Sequence, residues 1–291
     1  MMERRRLQAR GLVFDVLAAG DPAAEPVLLL HGFPQTAACW TRLAEALANA
    51  GYRVLAPDQR GYSPGVRPAA VRDYQMSELV ADVLALADRA GVVGRFHLVG
   101  HDWGGAVAWH LAARNPERVA SLTAVSTPHP RALAAALGSG AQPLRSAYIA
   151  FFRTPCLPEL VLGAWGLAGL RLLLARSGLD PQWVEAYAGA LAEPGALAAA
   201  LAWYRAAGPS TLRAPTVAAP TCHLWGSSDP ALGRRATEAT ARWVSGPYRL
   251  LVLDGAGHWL PEQHAAELAG PLLAHLRQWP TGRAGGQGWA P

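Results

Sequence analysis

The stretch GHDWGG, residues 100–105, constrains the architecture of this chain more than any other. It follows the apolar run FHLV and leads into WGGAVAWHLAARNP, whose spacing is helical. A strand that bends straight into a helix lifts the residue at the bend out of the turn and demands small neighbours. Gly100 and Gly104 stand two positions before and two after Asp102, where a Cβ would clash. Serine is the common occupant of such a tip, and here it is an aspartate. A plain N-cap would explain an aspartate before a helix, but it needs no glycine on both sides.

The rest of the chain supplies the frame for that bend. LVFDVLA, PVLLLHG and YRVLAPDQRG read as strands, and MSELVADVLALADRAG as a helix with Ser77 near its start and Gly91 near its end. RFHLVG and VASLTAVST then flank the helix after the bend. Such alternation predicts a parallel sheet with helices on both faces. From TPHP at 127–130 to about residue 212 only helical signals occur. Strand–helix order returns with PTCHLWG, RRATEATARWVSG, YRLLVLDGAG and a last helix, PEQHAAELAGPLLAHLRQW. The all-helical block thus reads as an insertion, with Pro128, Pro130, Pro209 and Pro215 at its edges. The expected division is 1–128 and 213–280 as one α/β core, 129–212 as a helical lid, and 281–291 as a disordered Gly/Pro-rich tail.

Composition narrows the class. The 291 residues suffice for one large core with an insertion, and the low charged fraction, 16%, excludes a disordered chain. The net charge of +5 is carried entirely by arginines scattered along the chain, which argues against a nucleic-acid partner. Cys39, Cys156 and Cys222 are far apart, with no C-x-x-C, so neither a zinc site nor a disulfide framework is expected. A reducing, cytoplasmic setting fits. Asp15 and Arg10 break any signal-peptide core. Arg171 interrupts the apolar LVLGAWGLAGLRLLLA, which therefore reads as a buried or half-buried helix, without membrane insertion.

Ligands gather at the carboxyl ends of parallel strands, where Asp102 stands. LDGAGHW puts His258 on a Gly-rich loop after the last strand, at the same end of the sheet. His110, His264 and His275 fall in helices and His223 in a strand, so His258 is the candidate base. LWGSSDP places Asp229 at the exit of the preceding strand, where a carboxylate can orient the imidazole. Asp254 is the alternative, but it precedes His258 too closely. LLLHGFPQ leaves its strand through a tight turn, His31 to Pro34, as one wall of a pocket. There the backbone N–H groups of Phe33 and Trp103 can converge on one oxygen as an oxyanion hole.

HGFP at 31–34, RGYSP at 60–64, GHDWGG, TPHP, WYR at 203–205, GSSD at 226–229 and GHW at 257–259 together resemble the epoxide hydrolase family. The resemblance runs from about residue 8 to 279. It implies an α/β-hydrolase fold, a mostly parallel twisted sheet flanked by helices and carrying an all-helical lid, or cap. It also implies two lid tyrosines that bind and protonate the epoxide oxygen. LAWYRA matches the segment of one at Tyr204, with Ala202 where the family usually has Asn. YIAFFRTP matches the other at Tyr148, while Tyr187 matches no motif. No cofactor or metal is implied, and the chain would act as a monomer or homodimer.

The carboxylate at the tip then has a rationale. An epoxide offers no carbonyl, only a saturated carbon with a tethered alkoxide leaving group, and an ionised carboxylate can displace there. The resulting ester of Asp102 does have a carbonyl, which water activated by His258 can attack. Haloalkane or haloacetate dehalogenases use the same nucleophile. The first often has Asn where Phe33 stands, and the second an Arg where Trp103 stands. A non-enzymatic binding protein on this fold would not need the full constellation. The lid's Ala, Leu, Trp and Phe content suits an apolar, aryl-bearing epoxide.

Overall fold

The computed structural model describes residues 2–138 and 140–282. The chain opens with an antiparallel hairpin, β1 (Met2–Ala9) and β2 (Leu12–Ala19), then runs β3 (Glu25–Leu30), α1 (Thr41–Asn49), β4 (Tyr52–Pro57), α2 (Met76–Arg89), β5 (Phe96–His101), α3 (Trp103–Arg114) and β6 (Val119–Val125). Six helices follow: α4 (Pro130–Ala136), α5 (Gln142–Arg145), α6 (Ala147–Arg153), α7 (Leu157–Arg176), α8 (Pro181–Leu191) and α9 (Ala196–Ala206). Then come β7 (Thr221–Gly226), α10 (Arg234–Ala239), β8 (Tyr248–Leu253), α11 (Leu260–Gln263) and α12 (Ala265–Gln278).

The eight strands form one sheet in the order β1-β2-β4-β3-β5-β6-β7-β8. β2 runs antiparallel to both β1 and β4, and the remaining pairs are parallel. Every residue of β4, β5 and β6 is buried, as expected where helices cover both faces of a parallel sheet. The chain steps outward from β3 to β4 and returns to place β5 on the other side of β3. That reversal opens a crevice beyond the strand ends, and Leu30 pairs with Gly100 directly below it.

The first strand is absent from the reading of the sequence. MERRRLQA is an edge strand, exposed along most of its length, so its arginines hide the alternation that would mark it. The apolar stretch in the insertion also departs from expectation. Leu157–Arg176 is long and apolar enough to cross a membrane, with mean hydropathy 1.5. Its backbone breaks at Ala164–Leu167, where Trp165 and Leu167 take positive φ. Only 28% of its most apolar window is buried, and Trp165 is 93% exposed, so of the two expected readings the half-buried one holds, and the break in the backbone is the departure. Of the expected tail 281–291, Thr281 is buried and its hydroxyl bonds Glu25, while 283–291 lie outside the described residues.

Candidate active site

The bend at Asp102 is built by steric exclusion. Its backbone sits at φ 50°, ψ −121°, a conformation a side chain rarely adopts and one that marks stored strain. A Cβ on Gly100 would lie 2.4 Å from the Gly104 carbonyl oxygen, and one on Gly104 2.2 Å from that of Leu30. These are backbone collisions, which no rotamer change relieves. The Thr127 hydroxyl and the Ala106 N–H both donate to the Asp102 carbonyl at 3.0 Å. The Asp102 side chain makes no capping bond to α3, so its carboxylate is free to face the cavity.

Parallel register brings the other groups to the same end of the sheet. Gly226 pairs with Leu253, so the loops after β7 and β8 leave side by side. Asp229 on the first accepts from the Ala231 and Leu232 N–H groups through Oδ1, at 2.8 and 2.9 Å. Its Oδ2 lies 2.8 Å from Nδ1 of His258 on the second. The far ring nitrogen, Nε2, stands 3.7 Å from Asp102 Oδ2. Asp254, the alternative, instead accepts from the exposed Ser227 hydroxyl. The histidines set aside are engaged elsewhere: His110 with the Thr211 carbonyl, His223 with Tyr248, His264 with Glu267, and His275 with the Leu122 carbonyl.

Burial alone would push the His258 ring down, but Asp229 and Asp102 on its two sides hold it up, at about 10. Burial would likewise raise the Asp102 carboxyl, yet His258, His101 and the Phe33 N–H outweigh it and hold it low. The pair is therefore carboxylate and imidazolium at neutral pH.

Phe33 follows the turn after β3, and its N–H donates to Asp102 Oδ1 at 2.9 Å. Trp103 opens α3, with its ring 5.1 Å from that of Tyr204. Tyr148 on α6 and Tyr204 on α9 have ring centroids 6.2 Å apart. Burial raises both phenols, and the negative charge of Asp102 raises them further, so both keep their protons.

Two chambers, of about 270 and 570 Å³, meet here, and Asp102, Tyr148 and Tyr204 line both. His258, Phe33 and Pro34 line the smaller one, and Trp103 the larger. His31, expected in the pocket wall, lines neither. It lies fully buried behind the turn, where its Nδ1–H donates to Gly32 and its Nε2 accepts from the Gln59 N–H. A strand-end residue alternates to the far side of the turn it begins.

Sequence reasoning missed the polar chain beneath the site. Gln35 Oε1 accepts from the Gly32 N–H at 2.7 Å and sits 2.8 Å from His101 Nδ1. His101 Nε2 lies 2.9 Å from the His258 carbonyl. Gln35 and Tyr187 both donate to Oε1 of the buried Glu262, at 2.6 Å each. The string HWLPEQ that carries Glu262 is half polar and holds no local sign of its burial. Arg145 was also missed, and its guanidinium donates to the Asp229 carbonyl.

Comparison with known proteins points the same way. The model of the α/β-hydrolase fold family matches residues 25–265. Epoxide hydrolase A of Mycobacterium tuberculosis is 34% identical, over 94% of this chain and 96% of that one. The AB hydrolase superfamily protein YfhM of Bacillus subtilis is 34% identical, over 93% and 96%. The crystal structure of epoxide hydrolase A from Mycobacterium thermoresistibile superposes with TM-score 0.84 at 28% identity, over 97% and 100% of the two chains. The chain belongs to the α/β-hydrolase fold family, among its epoxide hydrolases.

Proposed function

We propose that the protein hydrolyses apolar epoxides, aryl-bearing ones included, to vicinal diols. The observation that carries this reading is a carboxylate on a strained elbow, paired with His258, with two protonated phenols, Tyr204 buried and Tyr148 half-buried, lining the same junction. Asp102 attacks one ring carbon, the C–O bond breaks, and the oxygen takes the electron pair. Tyr148 and Tyr204 hold that oxygen and one gives it a proton, a transfer worth about 10²–10⁴ in rate.

Ester formation then resets the base. Asp102 loses its charge, so one of the two carboxylates holding up His258 vanishes. The imidazolium then gives its proton to the tyrosinate, which restores the phenol, and neutral His258 takes a proton from water. Hydroxide adds to the ester carbon while the Phe33 and Trp103 N–H groups receive the oxyanion. The intermediate collapses, the diol oxygen takes its proton from His258, and Asp102 returns its own to the imidazole. One epoxide and one water enter, one diol leaves, and no cofactor is called on.

Residues 1–128 and 213–280 form the catalytic core in this reading, and 129–212 the cap that brings the tyrosines. All the groups named lie within one chain, so a monomer or a homodimer serves equally. Three unpaired cysteines suit the cytoplasm.

Intact-protein mass spectrometry of His258→Gln, after exposure to epoxides and haloalkanes, tests this. An adduct equal in mass to a whole epoxide, lost when Asp102→Ala is added, is the expected result. An adduct equal to haloalkane minus hydrogen halide would make the protein a dehalogenase. A folded variant that captures nothing would overturn the covalent mechanism, and with it leave a binding role.

A further inference from the structure

The helical insertion gathers most of the chain's exposed apolar side chains. Nine large hydrophobic residues stand exposed among the described residues, and six of them fall between 144 and 172. Leu157, Leu160 and Val161 share one side of the first half of α7, at the spacing that makes helix neighbours. Trp165 stands out from the break just beyond them, 93% exposed. Leu172 follows on the second half of α7, and Leu144 lies on α5. These two helices meet where Arg145 of α5 and Leu173 and Arg176 of α7 line the smaller chamber. An apolar surface of this kind on a folded chain marks a place of contact.

The unbalanced charges beside it have one sign. Arg145, Arg153 and Arg176 are exposed. Arg145 and Arg153 donate only to carbonyl oxygens, and Arg176 makes no hydrogen bond or ion pair among the described residues. None of the three is neutralised. The carboxylates of α7 and α8 are already paired, Glu159 with Arg205 and Glu185 with Arg171.

We propose that this face of the helical insertion docks on an anionic lipid surface, lying on the bilayer without crossing it. The break at Ala164–Leu167 denies α7 a straight span, and Leu162, Leu170 and Leu174 are already buried against the rest of the protein. Leucine and tryptophan side chains enter the boundary between headgroups and acyl chains, and the arginines meet the headgroup phosphates. A second copy of the chain is a poorer occupant, because a two-fold contact brings two sets of the same unneutralised arginines into one interface. Docking sets a wall of the catalytic cavity against the lipid, but the contact itself does not depend on which reaction the cavity performs.

Co-sedimentation of the full chain with vesicles tests this. At low salt, binding to phosphatidylcholine vesicles that contain phosphatidylglycerol should be about 10-fold tighter than to phosphatidylcholine alone, and added salt should narrow the difference. Leu160→Ser combined with Trp165→Ser should weaken binding to the anionic vesicles about 10-fold or more. Thermal unfolding of that variant should match the wild-type protein, since both side chains already stand in water. No binding to anionic vesicles would overturn the docking. Binding that a folded double variant retains would also overturn it, by putting the contact elsewhere on the surface. Sedimentation equilibrium covers the rival occupant: a wild-type dimer that the double variant dissociates would assign the face to a second copy and overturn the lipid reading.

Discussion

His258 keeps its proton because two carboxylates share its ring, one on each nitrogen. Only one of them, Asp102, changes charge during the proposed reaction. Asp102→Asn imitates that change, so His258 should titrate lower than about 10, by about 1–3, as expected for the loss of one adjacent opposite charge. Histidine-selective NMR across pH measures it directly. A ring that still titrates near 10 would mean that Asp229 alone holds the proton and that ester formation does not free the base. The groups that bear on this balance were legible as motifs. Asp102, His258, Tyr148 and Tyr204 line the cavities, and Asp229 stands behind His258. His31 was legible only as part of HGFP, and nothing in that string says which side of the turn the ring takes. Gln35, His101 and Glu262 were illegible for another reason. They act on one another across more than 60 residues of chain, through bonds that local pattern does not encode.

At the level of the element, the strand-to-helix turn was readable because its requirement is steric and local. The same requirement makes it fragile. Gly104→Ala would set a Cβ 2.2 Å from the Leu30 carbonyl oxygen, and either β3 or α3 must move. Urea unfolding should show a loss on the order of 3 kcal/mol. Gly189→Ala is the control, since its Cβ would meet open space within α8. There the gain in helix propensity should leave stability unchanged or raise it by about 0.5–1 kcal/mol. Equal effects at both positions would refute the steric account of the elbow. β1 and the broken helix α7 were not readable in this way. An edge strand needs no apolar alternation, and the left-handed residues at Trp165 and Leu167 carry side chains that nothing local favours there.

The whole molecule holds its helical insertion to the sheet domain at several separate edges. Trp203 donates to the Arg60 carbonyl at 2.8 Å, and Gln142 bridges Ala231 and Gly233. The third edge is the segment that follows the base: Trp259 bonds Ser177, Gln263 bonds Gly178 and Asp180, and Glu262 accepts from Tyr187. Glu262 is the costly member. It is fully buried, its Oε2 has no hydrogen-bond partner among the described residues, and burial raises its pKa despite the donors Tyr187 and Gln35. A carboxyl whose folded pKa is raised favours the protonated form. Its contribution to stability is therefore complete below the unfolded pKa, about 4.3, and is lost as pH rises toward the folded value. Glu262→Gln keeps an oxygen to accept both bonds and cannot ionise. Thermal unfolding between about pH 4 and 6.5 should thus show the wild-type protein losing stability relative to the variant as pH rises. Parallel curves would show that Glu262 folds with its charge unperturbed, and the buried link from the helical insertion to the segment after His258 would then be an ionic one.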